Sequence, residues 1–252
     1  MSVRFVTASC LAVVLLVALT ACSGDDGSGA AVGGPSAEAT ATDPACAADA
    51  RCYDFTDDSD GWPEISDDEH FAGHDVYLDG SYRVGAREPG SWSMPAPLRI
   101  RDLSPGYGVQ VDVDATPGQG FPDDAAWGAT CWTRDLGGGR VAGFGAHVQP
   151  DGLTVGIYDS KTGAFDALKV VPAEDLTKPG KKRHLTLRCV QVASSGAAVA
   201  QIRAQVDGST TAAVSYGADA QDRDWSVAEG LGLVAAGQGA DVFYDHVVVT
   251  AR

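Results

Sequence analysis

Asp112 and Asp114 are the carboxylates of this sequence whose spacing could support hydrolytic chemistry. They alternate with Val109, Val111 and Val113, and alternate residues of a strand point to the same face. Hydrolysis of a glycosidic bond needs two positioned carboxyl groups, one of them protonated. We interpret both as solvent-facing residues opposite the valines and expect no catalytic residue, because the glutamates are scattered through predicted loops and the N-terminal linker. These glutamates are Glu38, Glu64, Glu69, Glu88, Glu174 and Glu229.

A second acidic group lies beside Gly61 and could bind a cation. Asp57, Asp58 and Asp60 come shortly before this glycine, and loop carboxylates near a glycine turn are typical of calcium sites. An EF-hand loop aligned on Gly61 fails at its first position, which is Thr56. We interpret the segment as a solvated acidic turn and expect no cofactor, with calcium at the three aspartates as the alternative.

The tryptophans could contact a ligand, because an exposed indole ring can stack on the face of a sugar. Trp127 is the best exposed candidate, since it follows an acidic pair at 123–124 on the edge of a predicted loop. Tryptophan is also a common core residue of β-sandwiches, so for any single ring we favour core packing and keep ligand contact as the alternative. The further candidates for ligand contact are Trp62, Trp92 and Arg134.

The N-terminal residues have the layout of a secretory signal. Arg4 supplies a positive charge, and Leu11–Leu19 is an unbroken apolar run that is too short for a stable membrane span. The tetrapeptide Leu19–Cys22 (LTAC) resembles the bacterial lipobox, in which the cysteine is acylated before cleavage. The resemblance implies a signal peptide over residues 1–21 and a lipid anchor on Cys22 at the extracytoplasmic face of the cell membrane. The alternative is an ordinary signal peptide with an incidental cysteine.

Four further cysteines predict two disulfide bonds. An even number of cysteines in an exported domain is typical of disulfides, and three pairings exist. A local pair would close a small loop at the entry of the domain, which leaves the other two cysteines to join distant strands. We predict the pairs Cys46–Cys52 and Cys131–Cys189.

The chain is strongly acidic, with 18 Lys and Arg against 34 Asp and Glu and a formal charge of −16. Such a surface repels the phosphate backbone, so we expect no nucleic-acid partner. It also gives no electrostatic attraction to anionic lipid, so the acylated cysteine must supply the affinity for the membrane. We expect a monomer.

Residues 46–252 alternate between apolar and polar side chains with a period of two. Ile202, Ala204 and Val206 are one such run, a pattern typical of strands with one buried face. Asp-Gly pairs at 151–152 and 207–208 predict hairpin turns between alternating segments. The spacing of strands and turns predicts a single all-β domain, a two-sheet antiparallel β-sandwich of the jelly-roll type.

A polar segment separates the predicted signal peptide from the domain. Residues 22–45 comprise the lipidated cysteine and a segment rich in Gly, Ser, Ala and Thr, and this composition predicts a disordered tether.

Histidines inside predicted strands are expected to be packing residues: His147, His184 and His246.

Several segments in order resemble the concanavalin A-like lectin/glucanase sandwich, in particular the laminin-G-like domains of exported actinobacterial proteins. Tyr53–Phe55 resembles the opening strand and Val109–Val113 the long central strand. Gly128–Trp132 and His184–Val192, with one cysteine each, resemble later strands, and Val242–Val249 resembles the closing one. The resemblance implies a concanavalin A-like fold, which hosts lectins, hydrolases and adhesion modules alike.

Three functions remain for such a domain. We expect a non-catalytic, lipid-anchored domain that binds a glycan or another cell-envelope component. The second hypothesis is a structural or sensory surface lipoprotein with a protein partner. The third is a glycoside hydrolase, which we disfavour because the E-x-D-x-x-E strand of the glucanase branch is absent.

Replacement of the acylated cysteine tests the predicted anchor. The Cys22→Ser variant should leave the membrane fraction or remain unprocessed, because no other segment of the sequence is expected to hold the protein there. Membrane fractionation and the mass of the mature N-terminus measure both outcomes. A processed Cys22→Ser protein that stays in the membrane fraction would show that the anchor lies elsewhere.

Overall fold

Strands of alternating apolar and polar residues make up most of the described chain. The computed structural model describes residues 46–47, 49–65, 73–97, 108–135, 141–159, 164–194, 197–217 and 230–252. These residues belong to one compact unit that spans 44–252. Their strands are β1 (Ala50–Tyr53), β2 (Gly73–Leu78), β3 (Ser81–Ala86), β4 (Ser91–Pro95), β5 (Gly108–Pro117), β6 (Ala126–Asp135), β7 (Val141–Gln149), β8 (Gly152–Asp159), β9 (Ala164–Pro172), β10 (Arg183–Ser194), β11 (Ala197–Val206), β12 (Thr210–Gly217), β13 (Gly230–Ala236) and β14 (Asp241–Ala251).

The strands form two antiparallel sheets, which confirms the predicted all-β sandwich. The larger sheet has the order β12-β11-β10-β5-β14-β3-β2, and β1 pairs with part of β14. The smaller sheet has the order β4-β13-β6-β7-β8-β9. Within the described ranges, the structure contains one 3₁₀ turn, Asp58–Asp60, and no helix long and apolar enough to cross a membrane. The predicted signal peptide, Cys22 and the tether lie outside these ranges.

Both predicted hairpins are present. In the turn between β11 and β12, Asp207 and Gly208 have φ of 50° and 69°, a conformation that an Asp-Gly pair adopts with little steric cost. In the β7–β8 hairpin, Gln149 pairs with Gly152. The turn residues there are Pro150 and Asp151, one position earlier than the Asp-Gly pair itself.

The core lies between the sheets and is built from the inward face of each strand. On β5, Val109, Val111 and Val113 are fully buried, as the alternation predicts. On β10, the inward residues are Leu185, Leu187 and Cys189. The largest side chains without exposed surface are Trp127, Tyr82, Tyr244, Phe55 and Phe144.

Two cross-links join the sheets through this core. The predicted disulfides are both confirmed: Cys46–Cys52 closes a local loop, and Cys131–Cys189 connects β6 of the smaller sheet to β10 of the larger one. The second link is the buried hydroxyl of Tyr244 on β14. Its oxygen lies 2.8 Å from the carbonyl oxygen of Gly128 on β6 and 2.7 Å from that of Val234 on β13.

Loss of the inter-sheet disulfide should destabilise the domain more than loss of the local one. The two bonds span 58 and 6 residues of sequence, and the entropy of the unfolded chain falls more when a longer loop is closed. This effect is roughly 4 kcal/mol for Cys131–Cys189 and roughly 2 kcal/mol for Cys46–Cys52. Denaturant unfolding of the two double Cys→Ala variants measures both values, and equal losses would contradict the prediction.

Candidate functional site

Two of the tryptophans that are candidates for ligand contact are core residues, the interpretation that we favour for any single ring. Trp127, near the start of β6, has no exposed surface, and Trp62 is 3% exposed. The Trp62 ring packs on Tyr53, Phe55 and Tyr82, with centroid distances of 5.4–5.7 Å. The alternative of ligand contact is therefore wrong for both, because the space between the sheets takes up these large apolar rings. The side chains of Trp92 on β4 and Arg134 on β6 lie outside the described part of the structure.

The acidic turn uses its carboxylates for local hydrogen bonds. Asp57 Oδ1 accepts a hydrogen bond from the Ser59 backbone N–H at 2.8 Å, and Asp60 Oδ2 accepts one from that of Phe55 at 3.1 Å. Asp58 lies exposed in the 3₁₀ turn. Across the described ranges, no three His, Cys, Asp or Glu side chains converge as metal ligands. Calcium at these three aspartates stays a prediction.

The predicted packing role of strand histidines holds for His147 and fails for His184. His147 on β7 is buried and its ring stacks on Phe165 at a centroid distance of 3.6 Å. Burial lowers the pKa of His147 to about 3, so this imidazole is neutral. His184 lies on the outward face of β10 with its side chain 50% exposed, where the strand alternation turns it away from the core.

His184 lies between Asp112 and Asp114, the carboxylate pair that the sequence singles out. β5 and β10 are neighbours, and Asp114 is directly opposite His184. The Nδ1 atom of His184 lies 2.7 Å from Asp114 Oδ1, and its Nε2 atom lies 3.7 Å from Asp112 Oδ1. Asp112 also accepts hydrogen bonds from Thr186 at 2.5 Å and from Gln110 at 2.7 Å. These five side chains form what we call the imidazolium cluster.

The cluster keeps its imidazole charged and both carboxyl groups ionised. Asp112 and Asp114 together raise the pKa of His184 to about 10. Partial burial alone would raise the pKa of Asp112, but the nearby His184 imidazole and the hydrogen bonds from Thr186 and Gln110 outweigh burial and hold that pKa below its usual value. The bond to His184 likewise lowers the pKa of Asp114. At neutral pH, neither carboxyl group is therefore a proton donor.

A groove lies beside the cluster on the same outward face, over β10, β11 and β12. Its volume is about 510 Å³. Arg188 and Arg203 lie directly opposite each other across β10 and β11, and both are exposed. The groove is lined by Arg188, Val190, Val192, Gln201, Ile202, Arg203, Ala213, Val214 and Ser215.

Strand alternation alone does not reveal this groove, although the sequence carries a signal for the pairing of β10 with β11. Ser194 pairs with Ala197, so β10 and β11 are joined by the dipeptide at 195–196, which is Ser-Gly. Such a dipeptide is a turn signal between alternating segments. A hairpin closed at that point places Arg188 opposite Arg203.

No family model matches this chain, and no curated protein matches it closely. Among solved structures, the chain is similar to the carbohydrate recognition domain of Emp46p (TM-score 0.46, 11% identity, 71% of this chain and 85% of that one). It is also similar to the CBM2 module of an evolved Dit protein from a Lactobacillus casei phage (0.42, 11%, 79% and 93%). A xylan β-1,4-xylosidase from Bacillus halodurans shows a similarity of the same level (0.46, 12%, 79% and 39%). What those proteins bind or cleave is a property of those proteins.

The imidazolium cluster predicts an unusual titration of His184. Because its pKa is raised from 6.5 to about 10, the protonated form contributes stability that is complete below pH 6.5 and is lost as the pH rises towards 10. Histidine side-chain NMR should give a midpoint near 10, and Asp114→Asn should lower it. The stability advantage of the wild type over His184→Gln should shrink over the same range. A midpoint near 6.5 would contradict the assignment.

Proposed function

We propose that this chain is a lipid-anchored, extracytoplasmic domain that binds a glycan or another cell-envelope component without catalysing a reaction. The groove over β10, β11 and β12 is the observation that carries the proposal. Its volume of about 510 Å³ falls in the range of sites for small organic ligands. The resemblance of the sequence to the lectin/glucanase sandwich supports the same conclusion.

The lining of the groove suits a sugar. Val190, Val192 and Ala213 provide an apolar surface for the C–H face of a sugar ring, while Gln201 and Ser215 are placed to bond its hydroxyl groups. A few polar groups around an apolar surface fix a ligand's orientation and provide specificity. The groove follows the outward face of the sheet, so a chain of sugars can extend along it.

The charges of the imidazolium cluster support a non-catalytic role. Asp112 and Asp114 have the alternation that a pair of hydrolytic carboxylates requires, but hydrolysis needs one carboxyl group with a raised pKa. Both pKa values are lowered instead. We therefore propose that these residues hold the sheet face in place and do not act on a substrate.

Separate observations support the proposed location of the protein and the proposed class of its ligand. Two disulfides are typical of a protein that leaves the cytoplasm, and the lipobox-like tetrapeptide supports an anchor on Cys22. A protein partner would be favoured by an exposed apolar patch. Among the described residues, the exposed large apolar side chains are Leu78 and Val170, on strands of different sheets. We propose a monomer that binds its ligand through the groove.

Glycan binding by the full-length chain tests the proposal. An array of envelope and plant polysaccharide fragments, with and without calcium, should give binding without release of reducing sugar. Gln201→Ala should weaken binding about 3- to 10-fold by removing one hydrogen-bonding group in the groove. The matched control is Gln119→Ala, which makes the same change beyond the far end of β5. Binding to no glycan, or equal loss in both variants, would overturn the proposal.

A further inference from the structure

We propose that the groove selects acidic glycans, whose carboxylate or sulfate group binds between Arg188 and Arg203. The inference rests on the proposed glycan function and names the class of sugar that this site accepts. It is carried by the position of the two arginines and by the pairing of the acidic side chains around them.

The two arginines are like charges that face each other across neighbouring strands. Arg188 on β10 and Arg203 on β11 are register partners, both point outward beside buried neighbours, and both line the groove. Like charges directly opposite in an antiparallel pair destabilise the sheet. An anion held between them replaces this repulsion with two attractions.

Several carboxylates of the larger sheet are already engaged by other groups. Asp112 and Asp114 belong to the imidazolium cluster, and Asp245 pairs with Lys182 at 2.7 Å. Asp207, in the turn after β11, pairs with Arg183 at 2.6 Å.

Arg188 and Arg203 therefore keep their charge available for a ligand. Neither one has a hydrogen bond or an ion pair with any residue of the described ranges. The positive groove thus persists in a chain whose formal charge is −16.

A third arginine, Arg252, lies near the start of β5, on the side of β10 away from β11. Gln110 is the register partner of Arg188 on the other side of β10, and the Nε–H of Arg252 donates a hydrogen bond to Gln110 Oε1 at 3.1 Å. Guanidinium groups bind carboxylates and tetrahedral oxyanions such as phosphate through two parallel hydrogen bonds, which a lysine cannot reproduce. The chemistry of the groove therefore fits one anionic group on a sugar that the apolar lining also contacts.

The test compares sugars that differ in charge alone. Calorimetry with the full-length chain uses a galacturonic acid oligosaccharide against its methyl ester, and a sulfated galactan oligosaccharide against its desulfated form. In at least one pair, the acidic form should bind tenfold or more tightly than the neutral one. The pair that shows this preference identifies the carboxylate or the sulfate as the recognised group.

Arginine variants show where the anion binds. Arg188→Gln and Arg203→Gln should each lower affinity for the acidic sugar tenfold or more, and so reduce the preference for the acidic over the neutral sugar. Arg188→Lys should retain part of the preference. Arg51→Gln on β1 removes the same charge outside the groove and should have no effect. Unfolding midpoints of both groove variants should equal or exceed that of the wild type, because they relieve the like-charge pair.

The outcomes separate this inference from the proposed function. If neutral and acidic forms bind equally and Gln201→Ala weakens both, the groove binds glycans and the acidic selectivity is wrong. If the acidic preference survives Arg188→Gln and Arg203→Gln, the anion binds elsewhere and the inference is also wrong. If no sugar binds in any arm, both the inference and the proposed function fail.

Discussion

The covalent bond between Cys131 and Cys189 ties a central strand of one sheet to a central strand of the other across the core. Side chains of a strand alternate between its two faces, so a shift of one residue would turn every side chain to the other side. With Cys189 held inward, Arg188 and Val190 must point outward. The hydroxyl of Tyr244 bonds across the core to the backbones of β6 and β13 and fixes the same relation between the sheets at a second point. The outward groove depends on this inward link.

The outward face of the larger sheet combines two regions of opposite electrostatic character. Near His184, each charge has a partner, and the strands β5 and β10 are held together by these contacts. Beside it, Arg188 and Arg203 face each other across β10 and β11 without a carboxylate among the described residues. Successive outward residues of a strand are about 7 Å apart, so the charged groups of His184 and Arg188, two outward positions apart on β10, belong to neighbouring regions of the same face. A region of paired charges thus lies next to one whose arginines have no charged partner among the described residues.

Strand alternation predicts much of the β-sandwich but little of the outward face that carries the imidazolium cluster and the groove. The inward valines of β5, the hairpin at Asp207 and the local Cys46–Cys52 bond follow from patterns that involve one strand or a few residues. The Cys131–Cys189 bond follows because these two cysteines are the ones that the local pair leaves. The contact of His184 with Asp114 joins residues 70 positions apart, and alternation does not reveal which strands become neighbours. Trp127 shows a related limit, because closeness to an acidic turn says nothing of whether a large ring fills the space between two sheets.

The small loop at the entry of the domain has a mechanical consequence. Tension on the chain ahead of Cys46 would pass through the sulfur bridge directly to Cys52, and residues 47–51 would carry none of it. The backbone pairing of Ala50 and Arg51 with β14 would be shielded, and the load would enter β14 opposite Val248. Since β14 lies between β5 and β3, a pulling force is delivered to an interior strand of the larger sheet. The first residues of the domain therefore cannot be peeled away one by one while the bridge is intact.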